Sequence, residues 1–166
     1  MAWIRRVAAG GARLAVLATL LAAPLQARAG DVTAFAAWQS PGPEWATGYG
    51  AGLASGLLPF LQLEAEAARS RYAKLDDGSI SYFTGSLLLA PTLGVVTPYG
   101  GLGFGLYRQS LLETSETNVF RALVLGAKVK LGGLLVLKGE YRKYTLSGDV
   151  LIPFDERYSL GAGISF

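Results

Sequence analysis

The chain has 166 residues with no His and no Cys, fifteen basic against twelve acidic side chains, and a mean hydropathy of +0.35. Without imidazole or thiol, His-based triads, imidazole–thiolate metal centres and disulfide staples are excluded. The formal charge of +3 does not argue for a nucleic-acid partner. Arg5, Arg6, Arg13 and Arg28 all precede residue 30 and no acid does, which leaves eleven basic residues against twelve acidic ones downstream.

The N-terminal stretch reads as a secretory leader. Arg5, Arg6 and Arg13 lie ahead of an apolar run from Leu14 to Ala23 that Pro24 breaks, and Ala27-Arg28-Ala29 has the small-x-small form of a cleavage site. The run is too short for a membrane-spanning helix. The expected organisation is a cleaved signal peptide over 1–29, with Ala27 and Ala29 as the small residues of the cleavage site and the mature chain starting near Gly30, and one domain over 30–166.

Eight strand-like segments follow, separated by turn chemistry. Val32–Gln39 ends at Ser40-Pro41-Gly42-Pro43-Glu44, which no strand interior would tolerate. In Ala46–Ser55, Tyr49, Ala51 and Leu53 alternate with Gly48, Gly50 and Gly52, and Gly56 to Pro59 turns the chain. Phe60–Ala73 sets Leu61, Leu63, Ala65 and Ala67 against Gln62, Glu64 and Glu66, the cleanest apolar/charged alternation in the sequence. After Lys74-Leu75-Asp76-Asp77-Gly78, with its Asp-Gly hairpin signal, Ser79–Ala90 opposes Phe83, Gly85, Leu87 and Leu89 to Tyr82, Thr84 and Ser86.

Pro91 to Val96 is a turn. Thr97–Gln109 then carries Leu102, Phe104 and Leu106 on one face and Gly101, Gly103 and Gly105 on the other. Leu111 to Asn118 is polar and acidic and reads as a loop. Val119–Leu131 opposes Leu123, Leu125, Ala127 and Val129 to Gly126, Lys128 and Lys130, and Leu135–Leu146 opposes Leu135, Leu137 and Tyr141 to Lys138, Glu140 and Arg142. For both charge sets to share a face, the connecting loop needs an odd number of residues, which Gly132-Gly133-Leu134 supplies. Ser147–Glu156 is the last loop. The closing segment, Tyr158 to Phe166, points Tyr158, Leu160, Ala162, Ile164 and Phe166 one way and Ser159, Gly161, Gly163 and Ser165 the other.

An exported, apolar chain with alternating strands and no 18-residue apolar run beyond the leader predicts an all-β fold: an eight-stranded antiparallel up-and-down transmembrane β-barrel. The short, uncharged connections at 56–59, 91–96 and 132–134 alternate with longer or charged ones, as expected when short turns are periplasmic. A lipocalin-like soluble barrel would also alternate, with the apolar face inward. Two features favour the membrane reading. Faces made of Gly and Ser are poor soluble exteriors, and aromatics gather near strand ends (Trp38, Trp45, Phe60, Tyr72, Tyr99, Tyr107, Phe120, Tyr158, Phe166) as interfacial girdles require.

The inward set then gathers Glu64, Glu66 and Glu140 opposite Lys128, Lys130, Lys138 and Arg142. An eight-stranded barrel is wide enough only to be filled by side chains, so these residues are expected to pair and plug the lumen.

Two stretches resemble a known family. Ser159, Gly161, Ile164 and Phe166 fill the places of the C-terminal assembly signal of bacterial outer-membrane barrels, and Pro98-Tyr99 with Gly101, Gly103 and Gly105 looks like the Gly-rich strand of the small outer-membrane β-barrel domain family. That family includes OmpA-like transmembrane domains and opacity-type surface proteins. The resemblance implies outer-membrane location and assembly, with no catalytic role.

The expected function is therefore a non-enzymatic, monomeric outer-membrane protein with a structural or surface-interaction role and no cofactor. Its expected partners are outer-membrane lipid, lipopolysaccharide and, during biogenesis, the barrel-assembly machinery; nucleic acid is not among them. The alternatives are a narrow solute or ion channel and a soluble periplasmic ligand-binding barrel. Glu44, Asp76, Asp77, Glu113, Glu116, Asp149, Asp155 and Glu156, against Lys74 alone, make the expected outer loops acidic: solvated charge, or a cation-bridged contact with lipopolysaccharide phosphates. Val150-Leu151-Ile152-Pro153-Phe154 is apolar for a loop and could cover the barrel mouth, dip into the interface or meet a partner.

Overall fold

In a computed structural model, residues 30–40, 46–72, 78–111, 114–148, 150–151 and 153–166 are described. The expected leader, with Ala27 and Ala29, lies outside these residues, as do Trp45 and most of the acidic loop positions.

Eight strands pair in chain order, and the last pairs with the first: β1 (Gly30–Ser40), β2 (Ala46–Leu58), β3 (Leu61–Arg71), β4 (Ser79–Leu89), β5 (Val96–Leu111), β6 (Thr114–Leu131), β7 (Leu135–Leu146) and β8 (Glu156–Ser165). Every pairing is antiparallel. Closure leaves no edge strand, which is how a sheet satisfies its backbone without water. The closing seam runs from Ser40↔Glu156 to Asp31↔Ser165, and Gly30 and Phe166 exchange both backbone hydrogen bonds at 2.8 and 3.0 Å.

The strand pattern matches the alternation of the sequence. Leu53, Leu63, Phe83, Leu87, Leu102, Phe104, Leu123, Leu137 and Leu160 are exposed on the outer wall, while Glu64, Glu66, Ser86, Lys128, Lys138 and Arg142 are buried inside. The β6–β7 turn has the odd length that this pattern requires. Leu131 pairs with Leu135 around Gly132, Gly133 and Leu134, and both glycines take positive φ (60° and 82°), a conformation costly for other residues.

The connections at 59–60, 90–95 and 132–134, together with Gly30 and Phe166, lie at one end, here termed the short-turn end. At the other, the loop end, lie the strand ends Ser40 and Ala46, Arg71 and Ser79, Leu111 and Thr114, and Leu146 and Glu156.

Two sequence expectations need correction. The stretch Leu111–Asn118 is not mainly a loop. Pairing of β5 with β6 continues to Leu111↔Thr114, beyond Phe120, where the ladder with β7 begins. Polar Thr and Ser residues suit a strand that leaves the apolar band, so polarity alone misread this hairpin. Glu116 and Glu156, taken as loop acids, accordingly sit in β6 and β8.

The aromatic girdle is also smaller than expected. Trp38, Phe60, Tyr158 and Phe166 are exposed, but Tyr72, Tyr99, Tyr107 and Phe120 are buried inside the barrel. Strand parity decides this: Tyr107 follows outward Leu106, and Phe120 lies between outward Val119 and Arg121.

Candidate functional site

Inside the barrel, space for large side chains is made by glycines on neighbouring strands. The Phe120 ring lies over Gly105, where a Cβ would meet it at 2.7 Å, and the Tyr99 ring lies over Gly126. Backbone crowds these strands as well: the Phe83 carbonyl lies close to Gly105, and the backbone of Leu87 and Leu88 close to Gly101. The Gly-rich run of β5 thus serves lumen packing and close strand approach.

Six of the seven charged residues expected in the interior face it at full burial, and they are joined by two that sequence reasoning missed. Lys138 Nζ lies 2.6 Å from Glu64 Oε2 and 2.9 Å from Glu140 Oε2. Arg142 donates from Nε to Glu140 and from Nη2 to Glu64, each at 2.5 Å, and lies 3.0 Å from Glu66. Arg157 donates from Nη2 to Glu66 at 2.6 Å and lies 3.5 Å from Glu140. Tyr99 donates its hydroxyl proton to Glu140 at 2.9 Å. Nearer the short-turn end, Lys128 pairs with Asp31 at 2.9 Å and donates to Gln62 at 3.2 Å.

Among the described residues the buried charges are balanced: Asp31, Glu64, Glu66 and Glu140 against Lys128, Lys138, Arg142 and Arg157. Balance matters because an unpaired ion held out of water costs several kcal/mol on the order of the desolvation penalty. Lys130 is the expected member that stays apart. It is only partly buried, makes no ion pair among the described residues, and lines a cavity of about 300 Å³ at the short-turn end with Asp31, Gln62, Thr97 and Lys128.

Arg157 and Asp31 escaped the sequence reading for a simple reason. Each sits at a strand end just outside the segments that the sequence marks as strands, Val32–Gln39 and Tyr158–Phe166. Extending the alternation of Ser159 and Gly161 back by one step would have placed Arg157 inside.

The oxygens of Glu64, Glu66 and Glu140 approach within 4.8 Å of one another, a spacing that could hold a cation. The same oxygens face Lys138, Arg142 and Arg157. Three fixed cations already occupy the position a metal would take.

Toward the loop end the lining turns aromatic. Tyr82 and Tyr144 stack at 5.9 Å, and Phe154 meets Tyr82, Tyr107 and Tyr144 edge-on at 5.2–5.5 Å. Arg157 joins the two layers, with its guanidinium 5.2 Å from the Phe35 ring centre and 5.9 Å from that of Tyr144. Tyr82 donates to Gln39, and Gln109 accepts from the Leu151 backbone at 2.8 Å. Of the three readings left open for the 150–154 segment, Phe154 follows the first: it is 3 % exposed and fills the barrel mouth. At the mouth itself, burial pushes the Tyr72 phenol up to about 12.

With the closed eight-strand sheet, outward leucines and filled interior in view, the comparison with solved structures is decisive for architecture. The fold is that of the small outer-membrane barrels. Neisserial surface protein A (NspA) superposes with a TM-score of 0.62 at 18% identity, over 82% of this chain and 94% of that one. The N-terminal barrel domain of Pseudomonas aeruginosa OprF gives 0.61 at 14% identity, over 84% and 98%. Ail, the attachment invasion locus protein of Yersinia pestis, gives 0.54 at 17% identity, over 84% and 100%. No protein-family model and no curated protein matches the sequence.

Within this outer-membrane-barrel fold, the expected assembly signal lies on β8 and just past it. Ser159 is buried and Gly161 lies against Phe35, while Ile164 and Phe166 face outward.

Proposed function

We propose that the chain is an integral outer-membrane barrel with a structural or surface-interaction role, whose lumen is closed by its own side chains. The observation that carries this reading is the opposition of the two faces. Leucine and phenylalanine cover the outside while eight balanced charges are buried inside, which inverts the arrangement that water requires. The short-turn end is then periplasmic and the loop end extracellular. A soluble periplasmic barrel would have to expose those leucines to water.

The absence of His from the sequence removes the imidazole base used in Ser–His hydrolysis, and the buried carboxylates are engaged by arginine and lysine. The reading is therefore non-enzymatic, and the proposed state is a monomer. Lipid and lipopolysaccharide surround it, and the barrel-assembly machinery inserts it. Closure is tested in planar bilayers. The purified protein should give no reproducible single-channel steps; steps abolished by changing Lys128 or Glu64 would make it a narrow channel instead.

A further inference from the structure

Among the described residues, the outward charges of the barrel strands are confined to its extracellular half, and all but Glu156 are basic: Arg69 and Arg71 on β3, Arg108 on β5, Arg121 on β6 and Lys143 on β7. Arg69 and Arg108 donate to Ser79 and Ser115. Arg121 and Lys143 make no ion pair or side-chain hydrogen bond among the described residues, although they are diagonal neighbours across the ladder, Arg121 opposite Thr145 and Lys143 opposite Leu123. Glu156, opposite Lys143 in register, instead accepts from the hydroxyls of Tyr141 and Tyr158 at 3.1 and 3.4 Å.

Below this pair, toward the membrane centre, a groove of about 580 Å³ is cut into the outer wall. Trp38, Leu125, Tyr141, Tyr158 and Leu160 form its sides and Gly139 part of its floor. Gly139 is not required by its backbone, since its φ is not positive, nor by crowding, since a Cβ there would meet only Leu160 Cδ2 at 3.6 Å. Any larger outward side chain at 139 would fill the groove. Lys143 is two residues beyond Tyr141 and four beyond Gly139 on the same strand, which sets the basic pair roughly 7–13 Å above the groove along β7.

Resting on the membrane reading above, we infer that this groove and the Arg121–Lys143 pair hold one phosphorylated lipid of the outer leaflet. The phosphate sits on the two cations and an acyl chain lies along Gly139 between the aromatic walls. The charge complements phosphate, the walls complement hydrocarbon, and their order along β7 matches that of headgroup and chain in the outer leaflet.

The test is native mass spectrometry of the intact, detergent-solubilised protein with diphosphorylated lipid A as the probe. The wild type should retain one lipid. R121Q/K143Q should weaken retention by about tenfold or more, the scale of one or two charged hydrogen bonds, and G139L should weaken it comparably while still shifting on heating in gels. R69Q/R108Q should leave it unchanged. Glucose 1-phosphate, which has no acyl chain, should not compete. Equal retention by all variants would overturn the inference, as would loss in R69Q/R108Q alone. A wild-type dimer that G139L dissolves would overturn it too, since a second copy would then occupy the groove.

Discussion

Arg142 is the residue on which the interior depends most heavily. It is fully buried and contacts three carboxylates from β3 and β7. Arg142→Met keeps much of the volume but leaves Glu64, Glu66 and Glu140 with two cations among three acids. Breaking a buried pair from one side costs about 3–5 kcal/mol, and urea unfolding in lipid vesicles should show a loss of that size. A loss below about 1 kcal/mol would mean that the carboxylates do not rely on Arg142.

On the opposite wall, Leu87→Arg places a charge near mid-membrane and should cost about 2–4 kcal/mol in the same assay. Both residues are readable from the sequence, and not every functional position is. Glu64, Lys138, Arg142 and Leu87 follow from period-two alternation alone, because each lies well inside a strand. Asp31 and Arg157 follow only if the alternation is carried past the marked segments, because each is the second residue of its strand.

Single elements show where local pattern suffices and where tertiary context overrides it. The Gly132–Leu134 turn was legible because two charged faces had to meet in register, which fixes the parity of the loop. The β5–β6 hairpin was not, since polar residues beyond the apolar band look the same in a strand as in a loop. The segment ahead of β8 was legible only as an anomaly: its apolar run signalled burial without saying where.

In the structure, Phe154 packs among Tyr82, Tyr107 and Tyr144. Phe154→Ala should release residues 147–155, and protease added to intact cells should then nick the chain there while the wild type resists. Just past β8, Phe166 is exposed, exchanges backbone hydrogen bonds with Gly30 and lays its ring over that glycine. Its deletion should lower membrane assembly while the protein still reaches the periplasm, as fractionation followed by immunoblotting would show.

The whole molecule is a cylinder turned inside out relative to a soluble domain, with an aromatic layer at the loop end, an ion network below it and a cavity lined by Asp31, Lys128 and Lys130 at the short-turn end. Its architecture was readable from the sequence because eight alternating segments and three short turns leave few other closures. The depth order of the interior was not, because it depends on the stagger of neighbouring strands, which no single strand encodes.

The central claim is that the apolar wall meets hydrocarbon. The absence of native cysteine allows a direct measurement: single spin labels at Leu87, Leu102 and Ser86, each through a cysteine substitution, in the reconstituted protein. The account predicts that labels at 87 and 102 relax strongly with oxygen dissolved in the bilayer and weakly with a water-soluble nickel complex, while the label at 86 responds weakly to oxygen. Labels at 87 and 102 that respond to nickel and not to oxygen would contradict it.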